Sequence, residues 1–590
     1  MQKRIVALDK ELCKPKKCCY QCMKVCPKNS SGENCITVNE ETKFPVFSED
    51  DCIGCGLCIH ACDRAGFKSI TIVNLPHELQ ELPVHRFGPN EFTLYRLPIP
   101  VINEVVGLIG ANGVGKTTAL KILSGELKSN LGNFGKHADI DELSKVFRGT
   151  ELQAYFEKLN RDIKVSYKPQ RVDQIPAVFK GKVSKLLEKA DERKILNEIS
   201  KSISLEEIMD KKINEISGGE LQKAAVAACL AKDADVYYID EPTSFLDVFQ
   251  RLSVAKAIRH FCENKSVLTV DHDLATLDFL ADRIHIFYGT PGAYGVVSKP
   301  YGVRVGINTF LEGYIKEDNV RIRSEPITFF TSIADRKTSQ QILVSFDNIM
   351  KKFDKFNLKI NKGDVRNKEV LAVIGANALG KTTFAKILAG EIEQDVGSIN
   401  KQIKISYKPQ YIKTDFAGSV RELLTTVADA GSETYKAEII RPLGMERLME
   451  KNVGDLSGGE LQRVAVALCL SQQADLYLLD EPSAFLDVEQ RLAVGKMINK
   501  IVEVKEKSAM VVDHDLLLLS QIGSRAMLFT GTSGKEGKAS EMNVRDAFNT
   551  FLKEVNVTFR KDPQTGRPRA NKFDSQLDRE QKEVGKYFYV

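Results

Sequence analysis

The chain has 590 residues, of which 43% are hydrophobic and 28% charged, with a formal net charge of +5. That length predicts several domains, and so mild a charge makes no case by itself for a nucleic-acid partner. It contains no run of about 18 apolar residues, the minimum for a bilayer-spanning helix, and no apolar segment follows the charged residues 1–10 as it does in a secretory signal. A soluble, cytoplasmic protein without a membrane partner is expected.

The head comes first, residues 1–75. Ten of the 13 cysteines precede residue 63, the others being Cys229, Cys262 and Cys469. In a cytosolic chain such density reads as metal ligation before disulfides. Cys52, Cys55, Cys58 and Cys62 have the spacing of the bacterial ferredoxin run for a cubane iron–sulfur cluster, and Cys13, Cys18, Cys22 and Cys26-Pro27 form a second set. In two-cluster ferredoxins the fourth cysteine of each run ligates the other cluster. One 4Fe-4S cluster is therefore assigned to Cys13, Cys18, Cys22 and Cys62, the other to Cys26, Cys52, Cys55 and Cys58; Cys19 and Cys35 are left over. Paired zinc sites are the competing reading. Asp63 stands where proline usually follows such a run, which unsettles the local turn more than the ligation.

A first nucleotide cassette is expected over 76–290. An apolar strand, 105–109, runs into Gly110-Ala111-Asn112-Gly113-Val114-Gly115-Lys116-Thr117-Thr118 and then a helix. This strand–loop–helix context makes the glycine-rich match a phosphate cradle, with backbone N–H groups and Lys116 on the phosphates and Thr117 on Mg2+. Gln170 follows 54 residues after Lys116. Strand 236–240 ends in Asp240, aimed at the same ion, and Glu241 follows as the group that orients or deprotonates the attacking water. His272 lies beyond the next strand.

Every part recurs in a second cassette, 326–540: strand 370–374, Gly375, Asn377, Gly380, Lys381, Thr382, Thr383, then Gln410, Asp480, Glu481 and His514. Gln170 to Ser217 is 47 residues, as is Gln410 to Ser457, and each signature serine lies 24 residues before its glutamate. Repetition at this scale means two homologous domains. Ala378 replaces Gly113 of the first loop; if the position demands positive φ, it costs about 1 kcal/mol. For adenine stacking the candidates are Phe87 and Phe346, with Phe92 and Phe356 as competitors.

Ser217-Gly218-Gly219-Glu220 and Ser457-Gly458-Gly459-Glu460 each precede an alanine-rich or valine-rich helix. Together with the loops they resemble the signature of ABC-type ATPases. The resemblance implies that each signature completes the other cassette's site, Lys116 pairing with Ser457 and Lys381 with Ser217. It also makes Gln170 and Gln410 the Q-loop, each a second ligand of its Mg2+, Asp247 and Asp487 the D-loop, and His272 and His514 the switch residues. Asp271 and Asp513 precede those histidines where the family commonly has glutamate, with little effect expected.

One spacing differs. Lys116 to Gln170 is 54 residues against 29 from Lys381 to Gln410, so the first cassette carries a 25-residue insert, near 136–162. It reads as two amphipathic helices, 139–147 and 151–159, across Arg148-Gly149-Thr150. Residues 291–325, rich in glycine, proline and arginine, read as an ordered hinge. Residues 541–590 read as a basic, proline-kinked tail, either packed along the cassettes or meeting phosphate backbone.

The whole order resembles one family, ABC subfamily E, the RNase L inhibitor family. The matching stretches include Cys13 to Cys18, Ile72 to Pro76, Arg96 to Pro100, Tyr167 to Gln170, Tyr407 to Gln410, Ala293 to Val297 and Thr558 to Pro563. The fold implied is α/β, two P-loop ABC-type nucleotide-binding domains in tandem behind a ferredoxin-like α+β iron–sulfur domain. The implied function is ribosome recycling: a monomer that binds the small ribosomal subunit beside a release factor, splits the ribosome using ATP, and stays on that subunit toward initiation and its factors. In that family the insert contacts ribosomal RNA. An iron–sulfur ATPase coupling hydrolysis to electron transfer is the alternative, although no flavin or nicotinamide site is legible.

Overall fold

The computed structural model describes residues 4–75, 81–159, 163–329, 340–400, 403–410, 412 and 416–589. The chain divides into two compact units. The first runs from the amino terminus to Ser244 and takes in Ser253–His272 and Leu280–Ile327. The second holds Thr328 onward together with two short pieces from the first cassette, Phe245–Leu252 and Asp273–Phe279.

The sheet of the first unit is parallel at its centre. Strand Val105–Gly110 lies between Ser266–Val270 and Arg283–Thr290, and Val236–Asp240 and Val165–Lys168 continue outward from Ser266–Val270. All residues of Val105–Gly110, Val236–Asp240 and Ser266–Val270 are buried, as expected for strands covered on both faces. The second unit repeats the order, with Val370–Ile374 between Arg525–Thr532 and Ser508–Val512, then Leu476–Asp480 and Ile405–Lys408. The phosphate loops and the aspartate–glutamate pairs thus leave the same ends of parallel strands separated by one strand, the edge where open α/β sheets place ligands.

The insert folds as helices Ile140–Val146 and Glu151–Leu159; its last residues, 160–162, lie outside the described residues. A capping box between Asp139 and Glu142 starts the first helix. Leu143, Phe147, Leu152, Tyr155 and Phe156 are buried in the core of the first cassette, with Phe147 stacked on Phe156 at 5.5 Å. The Tyr155 hydroxyl meets the Leu123 carbonyl at 2.7 Å and the Tyr238 hydroxyl at 2.5 Å.

Two segments set apart by composition are ordered parts of the fold. Within residues 291–325, Tyr294–Val297 pairs antiparallel with Arg283–Thr290 in the sheet. Helix Val303–Glu312 then packs so closely on Ile284 that a Cβ on Gly306 would lie 2.8 Å from it. The basic tail is likewise folded. Helix Val544–Val555 buries one face, and Phe559–Lys561 pairs with Pro568–Ala570 and Phe588–Tyr589. Arg567 is fully buried and pairs with Asp278, which also receives Arg569 Nε at 3.0 Å, so these arginines face protein rather than phosphate backbone.

Candidate ATP sites and cysteine head

Each phosphate loop is shaped by residues that must adopt the left-handed region. Gly115 and Gly380, at φ 95° and 93°, precede the helices Lys116–Leu123 and Lys381–Ala389. A Cβ on Gly115 would meet the Phe92 ring at 2.7 Å, and one on Gly380 the Phe356 ring at 3.1 Å. The mid-loop position also requires this region: Gly113 has φ 78° and Ala378 φ 58°. Lys116 Nζ donates to the carbonyls of Gly110 and Ala111 at 2.8 and 2.7 Å, and Lys381 does the same to Gly375 and Ala376 at 2.9 and 2.5 Å. Thr117, Thr118, Thr382 and Thr383 occupy the first helical turns, whose free N–H groups suit an anion.

Asp240 and Asp480 are buried at their strand ends, and neither carboxylate has a hydrogen bond of ordinary geometry to any described residue. Burial pushes both up to about 6, against the neighbouring hydroxyls of Thr117 and Thr382. A buried carboxylate beside a hydroxyl and short of partners is a donor set that fits Mg2+, a hard cation held by oxygen. The Gln170 amide nitrogen donates to Glu241 Oε1 at 2.6 Å and that of Gln410 to Glu481 at 2.8 Å, so the amide oxygens are the ends these bonds leave for the ion.

The catalytic candidates are assembled alike but for one contact: the Ser244 hydroxyl donates to Glu241 Oε2 at 2.8 Å, where the second cassette has Ala484. His272 Nε2 lies 3.4 Å from Glu241 Oε1, and His514 Nε2 lies 3.6 Å from Glu481 Oε1. Burial raises both carboxyls, but the hydrogen bond and charge of each histidine, with the Walker lysines, bring them to about 2. They are ionised groups able to accept a hydrogen bond from a water. Asp271 accepts from Thr243 at 2.6 Å and Asp513 from Ser483 at 2.7 Å, buttressing the turns after the glutamates.

Ser217 and Ser457 cap the helices Gly218–Ala231 and Gly458–Ser471. Each hydroxyl donates to its own helix's glutamate, Glu220 or Glu460, at 2.8 Å. The capping box explains the serine–glycine–glycine–glutamate spelling: the first turn keeps its N–H groups open with no side chain over them. Within the second unit, the Asn377 N–H donates to Asp247 at 2.8 Å.

The adenine assignment needs revision. Phe346 is 2% exposed and lies edge-on to Phe384 in the core, so it cannot stack on a base. The exposed aromatics beside the loops are Phe87 and Phe353, each paired with the ring that touches the loop glycine, Phe92 or Phe356. Phe353 was missed because strand Ile342–Lys352 runs past Phe346 before turning. Four further residues carry no spacing signal: Lys168, Lys408, Gln222 and Gln462 all donate to the backbone of the aspartate–glutamate pairs.

In the head, Cys13, Cys18, Cys22 and Cys62 line one cavity. Burial above all, with the neighbouring thiols of Cys52, Cys55 and Cys26, pushes Cys58 up to about 12. Cys35 is buried against Cys26 and Cys52, whereas Cys19 is exposed. All 13 cysteines are free. Among the described residues no three histidine, cysteine or acidic side chains converge as on a single ion, and thiols ringing a cavity fit a larger soft group better than zinc. Helix Leu57–Arg64 continues through Asp63, so the missing proline lengthens a helix.

Comparison with known proteins agrees with this architecture. The family described as ABC transporter matches residues 102–244 and 358–484. ABC transporter E family member 1 of Arabidopsis thaliana is 42% identical, covering 100% of this chain and 99% of that one. A structure of ribosome-bound archaeal Pelota and ABCE1 superposes with a TM-score of 0.93 at 47% identity, covering 100% of both chains. The complex of archaeal ribosomal stalk protein aP1 with the archaeal ribosome recycling factor aABCE1 gives 0.83 at 49% identity, over 87% of this chain and 100% of that one. No described helix is long and apolar enough to cross a membrane. Two complete phosphate loops, two signatures and a full-length match converge: the chain is a twin ATPase and belongs to the ABC E family.

Proposed function

We propose that the chain is a cytoplasmic, ATP-driven ribosome recycling factor. It binds the small ribosomal subunit beside a release factor, uses ATP to separate the subunits, and stays on the small subunit toward initiation. The observation that carries the reading is the full-length likeness to a ribosome-bound protein, head and insert included. A transporter ATPase would share the cassettes but gives no reason for the cysteine head.

Within this reading the head holds two 4Fe-4S clusters, one on Cys13, Cys18, Cys22 and Cys62, the other on Cys26, Cys52, Cys55 and Cys58. The clusters stiffen a contact surface, since Cys13, Cys22, Cys26, Cys58 and Cys62 sit in a packed core with Val6, Ile36 and Phe47 while Cys55 is exposed. ATP held by Lys116 is completed by Ser457, and ATP held by Lys381 by Ser217, within one monomer. Glu241 and Glu481 orient the attacking water, and Mg2+, bound by Asp240, Thr117 and Gln170 or by Asp480, Thr382 and Gln410, supplies charge neutralisation on the phosphates.

Replacing both glutamates, Glu241→Gln with Glu481→Gln, abolishes hydrolysis and traps the ATP form. With ATP, the doubly substituted protein is expected to cosediment with small subunits far more than the native chain does. Equal cosedimentation of the two proteins would refute the proposal.

A further inference from the structure

Both catalytic glutamates have left-handed backbones, φ 48° at Glu241 and 48° at Glu481. For a residue with a Cβ this costs roughly 1–2 kcal/mol, and such strain persists only where surrounding contacts over-determine it. The contacts are present and come from three elements. The Glu241 N–H donates to Val270 on the strand that leads to the switch histidine, at 2.9 Å. The Glu241 carbonyl accepts from Gln222 of the signature helix. It also accepts from Lys168 Nζ at 3.1 Å, and the same ammonium donates to the Asp240 carbonyl at 2.7 Å.

The second unit repeats every contact. Glu481 N–H meets Val512 at 2.7 Å, Gln462 donates to the Glu481 carbonyl, and Lys408 Nζ reaches the carbonyls of Asp480 and Glu481 at 2.7 and 3.2 Å.

The lysines demand an explanation of their own. Each is 1% exposed on a strand whose other buried side chain is a serine, Ser166 or Ser406. An ammonium so buried is costly unless its donors are satisfied, and an apolar residue would fill the same place without that penalty. Each lysine stands two residues before the glutamine whose amide holds the carboxylate of the same glutamate. One strand end therefore grips the glutamate twice, at its backbone through the lysine and at its side chain through the glutamine. Lysine is positively charged, so the grip also places a cation behind the carboxylates that face the phosphates.

We propose that Lys168 and Lys408 are positioning residues for ATP hydrolysis: each holds its neighbouring catalytic glutamate in the left-handed conformation that aims the carboxylate at the attacking water. They touch no nucleotide and act through Glu241 and Glu481. The inference rests on the ATPase activity alone and is independent of the ribosomal reading.

The test uses the full-length chain with Lys168→Met or Lys408→Met, each in a background where the other site carries its Glu→Gln change. Three quantities are measured on one preparation: the single-turnover hydrolysis rate, the affinity for a non-hydrolysable ATP analogue, and the thermal midpoint. The expected result is a rate lowered about tenfold or more with analogue affinity within about twofold, because the loss falls on the transition state alone. Lys→Gln, which keeps a donor without the charge, is expected to fall between native and Met. An unchanged rate, or a rate and an affinity that fall together, would overturn the proposal. If the Met variants do not fold, the Gln variants are read by the same split. Failure of both to fold would make the lysines purely structural and end the proposal.

Discussion

The two cassettes share a fold and a set of reactive groups, yet differ at the places where each is tied to something else. Around the glutamates they agree in glutamine to carboxylate at 2.6 and 2.8 Å and histidine to carboxylate at 3.4 and 3.6 Å. They differ there in the Ser244 hydroxyl on Glu241, where the second cassette has Ala484. Away from the chemistry they part. Tyr238 on the first aspartate strand receives the insert through Tyr155, and its counterpart is Leu478, which stands at the same place in a cassette without an insert. Asp278, in the helix after the first switch histidine, holds two tail arginines, while the matching Ser520 bonds only within its own helix, to Leu517. Duplication preserved the reaction, and divergence went into the attachments.

The largest effect that sharpens this contrast is at the tail. Arg567→Ala leaves Asp278 as a buried charge with weakened pairing, a loss of about 3–5 kcal/mol where such a pair is broken. Chemical denaturation is expected to show the transition of the second unit at distinctly lower denaturant; Ser520→Ala, at the equivalent place, should leave it nearly unmoved. Equal shifts would erase the asymmetry.

The next is at the insert. Tyr155→Phe removes the hydroxyl from Leu123 and Tyr238 and is expected to destabilise the first unit by about 1–2 kcal/mol, the usual consequence of an unmade buried hydrogen bond. The double variant with Tyr238→Phe should recover part of that loss, since no orphan hydroxyl remains. A double-mutant cycle with no coupling would show that the insert is not anchored there.

The smallest is the loop position that the cassettes spell differently. Gly113→Ala is expected to cost about 1 kcal/mol and Ala378→Gly to return a similar amount, both through backbone conformation. A Cβ on Gly113 would touch Pro291 at 3.4 Å and the Gly292 nitrogen at 3.5 Å, both ordinary contacts, so steric crowding adds little. Thermal midpoints that move in opposite directions for the two variants are the expected signature.

Much of this was readable before any coordinates. The phosphate loops, the aspartate–glutamate pairs and the signatures announce themselves because glycine, lysine and carboxylate at fixed separations have few other uses. The insert emerged from one unequal spacing. Phe346 misled because an aromatic upstream of a phosphate loop looks the same whether it faces a base or the core, and only the long turn after Lys352 reveals Phe353. For residues 291–325 composition speaks against a flexible tether but does not say that Tyr294–Val297 joins the sheet. Lys168 was in plain view within Tyr167 to Gln170, but no pattern says that a strand lysine points inward. Its role needs the carbonyls of a neighbouring strand, which spacing does not encode.

The closing strand has a consequence for how the chain is made. Phe588 stacks on Phe548 at 4.7 Å, and Phe588–Tyr589 pairs with Phe559–Lys561. They belong to a unit that also takes in Phe245–Leu252 and Asp273–Phe279, made long before them. The first unit can fold during synthesis, as domains generally do. The second is complete only once Phe588–Tyr589 has been made, so Phe245–Leu252 and Asp273–Phe279 wait for partner segments translated far later.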